Sequence, residues 1–406
     1  MKINKKNNMF NLTYLGVFLI PFEYLIESKI YAIILISISI YEALFLLRKN
    51  SRFPVTYFTC GYFMLIVYGF VSCYYTKDTT STYSILIQII PYYIFIFMVS
   101  WCILLEKFSM YEKIKSYLKM FLYGTLSVAI YTVIVDLKDF NIYTKVGMKV
   151  FGGQQTMFTY YLIISVCIGI FLFTSEKDNM RRYWYLIAVI VLYGIGLFTS
   201  VRKAIIIPIV FCIAYIFIQS FNYKKIFKGM LIIFLLFISL LVLYNILMKN
   251  EHFAITVGSR LRTFVIGIMG GEVTENSFNT REALRNTSWK CFKENPLFGY
   301  GFGAFRDYSD INTGIRLYAH NNFLELLASC GIFGFSIYYG CIVLMLKKLI
   351  NGARENKNQI YSFGIAFILA MFINDYGTVS YLSISFIIML TIISCSTKIK
   401  IIENDE

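Results

Sequence analysis

The stretch AHNNFLELLASCGIFGFSIYYGCIVLML, residues 319–346, decides the fold. It places His320, one of two histidines in the chain, at the mouth of an apolar run long enough to cross a bilayer as a helix. A polar, titratable side chain at such a boundary points to a site, because leaving it there costs solvation energy. Runs of the same kind recur outward from about Leu12 to about Cys395. This is the sustained signal of spanning helices, not the weak alternation of a barrel. Of 406 residues, 58% are hydrophobic and 15% charged, and no water-soluble globule hides that much apolar surface.

The chain therefore reads as an all-α polytopic membrane protein with about 12 transmembrane helices. The expected spans are 12–26, 30–47, 53–75, 83–105, 117–135, 156–174, 183–200, 203–220, 229–247, 323–346, 359–374 and 379–395. MKINKKNN precedes the first span with no small-residue cleavage site after it, which reads as a retained anchor. Three parts follow: residues 1–247 with spans one to nine, 248–322 as one large extracytoplasmic loop with helical segments, and 323–406 with spans ten to twelve and a cytoplasmic tail.

Charge sets the orientation. Lys2, Lys5 and Lys6; Arg48, Lys49 and Arg52; Lys107, Lys113 and Lys115; Lys177, Arg181 and Arg182; Lys224, Lys225 and Lys228; and Lys347, Lys348 and Arg354 all fall on alternate connections. Those connections and both termini are expected on the cytoplasmic side. Two outer segments break the pattern: the Asp136 to Gln155 loop, and the long connection from Met248 to Asn322. A long loop carries charge without setting topology. The net charge of +15 is thus mostly a topology signal spread between spans, which argues against a nucleic-acid face. The nine cysteines form no CxxC pair, so disulfides and zinc are not expected.

In the long loop, NTREALRNTSWKCFKENP reads as a helix on which Arg281, Arg285 and Trp289 share a face at intervals of four. Two guanidinium groups on one face match paired phosphate oxygens; the competing reading is a solvated helix with Glu282 as local partner. Arg202 and Lys203, in the short turn after TSV, sit at the outer boundary against the inside bias. That suggests an anionic partner, or else snorkelling to lipid phosphate. GYGFGAF, residues 299–305, lacks the preceding strand and following lysine of a phosphate loop and reads as a turn. His320 beside the arginines would make a base next to cations suited to a phosphate leaving group. Asp307 and Asp310 read as loop solvation, and no metal-ligand cluster is seen. Glu23, Glu42, Asp136 and Asp375 are the acids read in or beside spans, all toward the ends. Asn374 and Asp375 read as a helix end or as a further polar contact.

These residues carry a resemblance. The pattern His320, Asn321, nine residues, Gly331, two residues, Gly334 resembles the signature of the O-antigen ligase and O-antigen or capsule polymerase superfamily, membrane glycosyltransferases that use polyprenyl-diphosphate glycans. Arg285, three residues, Trp289, then ENPLFGYGFGAF with Gly301, is similar to the family's Arg, Trp, Pro and Gly-rich turn, and TSVR ending at Arg202 to its Ser-Arg turn. Lys203 departs from the small residue many relatives have there. The likeness covers about Thr199 to Phe335; the first half of the chain resembles the family only in hydropathy.

The resemblance implies a GT-C-like fold and an inverting, metal-independent enzyme without cofactor. Arg202 and Arg285, with Arg281, would hold the donor diphosphate, and His320 would assist an acceptor hydroxyl. Polyprenyl-diphosphate-linked oligosaccharide would serve as donor and acceptor at the outer face of a bacterial cytoplasmic membrane, with membrane lipid, a flippase and a chain-length regulator as partners and no nucleic acid. Polymerase leads, and a ligase shares the same elements. A flippase or transporter of the same lipid-linked glycans would also have about a dozen helices, but would place ionisable groups near the midplane.

Overall fold

The computed structural model describes residues 11–47, 55–105, 110–136, 155–199, 201–220, 245, 249, 276–355 and 358–399. Among them every regular element is helical. The helices are α1 (Leu12–Leu19, continued by a 3₁₀ segment Ile20–Leu25), α2 (Ser28–Leu47), α3 (Tyr57–Ser72), α4 (Thr79–Leu104), α5 (Met110–Asp136), α6 (Gln155–Ser175), α7 (Asn179–Phe198) and α8 (Arg202–Gln219). After the undescribed stretch come α9 (Asn276–Glu294), α10 (Phe305–Thr313), α11 (Asn322–Glu355), α12 (Gln359–Asp375) and α13 (Ile384–Ser396). The expected span 229–247, His252, the Asp136 to Gln155 loop and the first part of the long connection lie outside the described residues, apart from positions 136, 155, 245 and 249.

Six of these helices, α2, α4, α5, α6, α7 and α11, are long and apolar enough to cross a membrane. Shorter apolar helices fill five other expected spans. The chain is a multi-pass membrane protein. Side chains with a local acceptor start several helices: Asp78 takes the Ser81 N–H (3.0 Å), Asp178 that of Met180 (3.0 Å) and Asn358 that of Ile360 (3.1 Å). Each satisfies an amide that has no partner within its own helix. In the bundle, α6 and α13 are buried on nearly all sides, while α7 turns Met180, Trp184, Ile187 and Ile190 outward as a lipid-facing surface. Lys119 with Glu176 (3.6 Å) and Arg181 with Asp178 (3.5 Å) gather where α6 ends and α7 begins, and Arg316 with Asp78 (3.1 Å) ties the segment after α10 to the start of α4.

The feature that places the site is a break in α11. At Gly331 the backbone turns to φ 60°, ψ −165°, a left-handed value that glycine adopts without a Cβ penalty. In a continuous helix, Ile332 and Phe333 would donate to Ala328 and Ser329. Here Ile332 donates instead to Pro296 (2.9 Å) and Phe333 to Leu297 (3.3 Å), while Ala328 and Ser329 accept from Tyr300 and Gly301 (both 2.9 Å). Two helical bonds are thus exchanged for four bonds to residues 296–301, and the Tyr68 hydroxyl caps the carbonyls of Phe298 (2.6 Å) and Cys330 (2.9 Å). A Cβ on Gly331 would fall 2.3 Å from the Leu297 oxygen, so the glycine of the sequence pattern is dictated by this close approach. The glycine-rich stretch is a turn, as expected, and its backbone completes the broken helix. Asp307 and Asp310 lie on α10 in the reach of Arg316, at 3.9 and 4.0 Å, instead of in an open loop.

Candidate functional site

The first turn of α11 fixes His320. Asn321 caps the helix, its Oδ1 accepting from the Leu324 N–H (3.0 Å), and Glu325 reaches back to accept the Ala319 N–H on Oε2 (2.7 Å). Between these anchors His320 takes φ 51°, the sole non-glycine residue in the left-handed region among those described. Such a backbone costs on the order of 1–3 kcal/mol and persists where its surroundings over-determine it. One face of the imidazole meets the Tyr318 ring at 4.2 Å between centroids, and the Arg306 guanidinium lies 5.7 Å from that tyrosine ring.

Among the described residues, three cations act on the imidazole. Burial is the largest influence, followed by the charges of Arg281, Lys203 and Arg285, and together they pull the His320 pKa down to about 4. The amino end of α11 adds to the same effect. Arg285, half-buried on α9, lays its guanidinium 5.7 Å from the Tyr376 ring and makes a long 3.5 Å hydrogen bond to its hydroxyl. Arg281, one turn earlier, is exposed. Neither arginine is ion-paired to a carboxylate among the described residues, Glu282 included. Lys203, at the start of α8, donates to the Asn374 carbonyl (3.1 Å) and to Thr378 Oγ1.

The turn after α12 gathers these contacts. Its Asn374 carbonyl takes Lys203, its Tyr376 carbonyl accepts from the Asn321 side-chain amide (3.2 Å), its Tyr376 ring lies beside Arg285, and Thr378 also bonds Tyr160 (2.5 Å). Beneath it, Asp375 Oδ2 accepts from Tyr339 (2.8 Å) and from Asn322 Nδ2 (3.3 Å), and Asn322 Oδ1 accepts the amides of Ser380 (2.9 Å) and Tyr381 (3.1 Å). A fully buried amide with its hydrogen-bonding capacity used in this way locks two turns together.

His320, Arg281 and Arg285 thus come together, with Asn321 supporting them. Arg202 opens α8 beside Lys203, and its side chain lies outside the described residues. Trp289 packs on Phe292 (5.3 Å) and Lys293 (5.8 Å) of its own helix instead of joining the cluster. Gly301, Gly331 and Gly334 are backbone devices; a Cβ on Gly301 would strike Thr76 Oγ1 at 2.1 Å and one on Gly334 the Cys330 Cβ at 2.2 Å. Sequence reasoning missed Glu325, Tyr318, Tyr376 and the depth of the Asp375 network. For Glu325 the signal was present: a carboxylate in an otherwise apolar run is expensive unless it has a task.

Residues 186–339 match the family model described as O-antigen ligase. No curated protein matches the chain at a meaningful level. The matched stretch runs from within α7 into the broken α11, so it contains Lys203, Arg281, Arg285 and His320 and stops short of the 374–378 turn.

Proposed function

We propose, from the O-antigen ligase domain carried by residues 186–339, that this membrane enzyme joins polyprenyl-diphosphate-linked oligosaccharide repeat units into a surface polysaccharide. The reaction is placed at the outer face of a bacterial cytoplasmic membrane, with both termini cytoplasmic. The observation that carries this reading is a histidine held in a left-handed backbone geometry among cations, two of them arginines without a carboxylate partner among the described residues. Such a site is matched to a diphosphate and to a hydroxyl that must lose a proton.

In the proposed step an acceptor hydroxyl attacks the anomeric carbon of the donor's first sugar. The bond from that carbon to the diphosphate oxygen breaks and its electron pair leaves with the polyprenyl diphosphate. The hydroxyl proton passes to His320. Arg285, Arg281 and Arg202 hold the diphosphate and meet the charge that grows on it. A single displacement of this kind inverts the anomeric centre. The donor also tunes its own base: two negative charges beside Arg281, Lys203 and Arg285 offset the cations that keep the His320 pKa low, so proton affinity rises when substrate binds. A flippase would supply the repeat units and a chain-length regulator would act on the product.

The test is the size profile of surface and lipid-linked glycan in cells with and without the protein. Single repeat units and no long chains in its absence support the polymerase. Normal long chains stranded on the polyprenyl carrier would replace it with a ligase, and repeat units trapped on the cytoplasmic side would overturn the enzymatic reading in favour of transport.

A further inference from the structure

Lys203 is a cation at this site to which the roles above give no task. A lysine at the membrane boundary ordinarily snorkels outward to lipid phosphate. This one points inward: its ammonium donates to the Asn374 carbonyl (3.1 Å) and to Thr378, and lies 5.8 Å from the Tyr160 ring. Gly377 makes room for it, since a Cβ there would stand 3.2 Å from the lysine Cε and 3.4 Å from Nζ. The position is electrostatically unfavourable, because the amino end of α8 repels a cation and Arg281 repels it further. The acid that opposes this repulsion is Asp375, whose Oδ2 is already engaged by Tyr339 and Asn322. A positive charge held off the water at such cost is stable when an anion completes it.

We propose that Lys203 is a substrate-binding residue whose third N–H meets a non-bridging oxygen of the donor diphosphate, with the Asn374–Thr378 turn as the cradle that aims it. An ammonium has three donors, and two are committed to that turn. During transfer the acceptor oxygen bonds the anomeric carbon, the carbon–phosphate oxygen bond breaks with its electron pair kept by the diphosphate, and the acceptor proton goes to His320. Lys203 stays protonated and shares the new charge with Arg285. The assignment rests on reading the His320 site as a diphosphate site.

Inorganic pyrophosphate serves as the probe, on the full chain in detergent or vesicles. Lys203→Gln keeps an N–H donor, one bond closer to the backbone, and loses the charge. Its expected behaviour is an unchanged melting temperature, pyrophosphate inhibition weakened roughly ten- to hundredfold, a similar fall in kcat/KM, and recovery in Lys203→Arg. The acid limb of the kcat/KM profile should also rise in Lys203→Gln. His320 faces Arg281 and Arg285 from α9 and Lys203 from α8, and meets Tyr318 with Arg306 behind that ring, while Glu325 is turned back onto the Ala319 amide and Asp375 onto Tyr339 and Asn322; one of the three described cations opposing it would be gone. Wild-type inhibition and an unmoved limb in Lys203→Gln would make the lysine a tether and overturn the assignment. Should that variant not fold, amine-reactive labelling of Lys203 in the wild type decides: protection by pyrophosphate supports the contact, and equal labelling with and without it overturns the contact. A wild-type enzyme indifferent to pyrophosphate, with Arg285→Ala indifferent too, would remove the diphosphate site itself, which is a different failure.

Discussion

The side-chain amide of Asn321 donates to the main-chain oxygen of Tyr376 at 3.2 Å, so the turn that presents His320 and the turn that follows α12 are joined directly. The two are 55 residues apart in the chain. One turn brings His320 and the other brings the support for Arg285 and Lys203, and this bond ties them together.

Replacing His320 by Ala should cost roughly 10²- to 10⁴-fold in activity, the usual contribution of a positioned base, with the fold retained. The depressed pKa sets the pH behaviour. The free enzyme keeps His320 neutral until about pH 4, so kcat/KM should stay level from neutrality down to about pH 5, whereas kcat, which reports the donor complex, should fall at higher pH. Stability has its own sign. The unfolded chain binds a proton below about 6.5 and the native site does not, so stability falls as pH drops from 6.5 toward 4. Full activity in His320→Ala, or both profiles falling near 6.5, would sink the base assignment.

Gly331→Ala should be strongly destabilising, since it forces an alanine into φ 60° and drives a Cβ against the Leu297 oxygen at 2.3 Å. Gly340→Ala on the same helix is the control: nothing lies within 4 Å of its Cβ position, and alanine there should raise stability by about 0.5–1 kcal/mol. Thermal melts of the two purified variants should move in opposite directions. Equal shifts would mean that the helix break is not needed.

How much of this was legible beforehand follows from the physics of each part. Spanning helices announce themselves because lipid demands about 20 apolar residues whatever their neighbours, so residues 30–47 or 156–174 needed no tertiary information. His320 stood out because a titratable group at a membrane boundary is costly, and Arg281 and Arg285 because an interval of four puts two guanidinium groups on one helix face. Gly331 could be matched to a pattern, but the reason for it, backbone from residues 296–301 entering the helix, is a long-range pairing that no local periodicity reveals. Lys203 illustrates the same limit: outward snorkelling and inward tethering have identical sequence, and Gly377, 174 positions later, decides between them.

Asn322→Ala should cost several kcal/mol, because it strands the amides of Ser380 and Tyr381, at about 1–3 kcal/mol for each buried group left unsatisfied. Asp375→Asn should cost less, as the acceptor for Tyr339 survives. A double-mutant cycle between positions 322 and 375, read by melting, should give a coupling of about 0.5–3 kcal/mol; additive losses would show that the network does not act as a unit.

The cations of residues 276–322 should separate into two groups. Arg316 bonds Asp78 (3.1 Å) and Ser81 (3.2 Å); burial raises the Asp78 pKa, but hydrogen bonds from Ser81 and Thr80 and the Arg316 charge outweigh it and hold the carboxyl below its usual range. The arginine itself is half exposed, so Arg316→Ala should change stability by about 1 kcal/mol at most and leave transfer intact. Arg285→Ala should abolish most transfer with little change in melting. Comparable activity losses in both variants would contradict a localised diphosphate site.

The exchange of hydrogen bonds at the helix break carries a lesson for building chimeras. Because the 296–301 backbone supplies the partners of Ala328, Ser329, Ile332 and Phe333, the segment before α11 is not a cassette that ends where that helix begins. A graft that ends where the loop meets α11 would leave four backbone groups facing a foreign strand of chain. The smallest transplantable piece therefore reaches through Gly334, three turns into α11, and the loop can be moved between proteins only together with the first part of that helix.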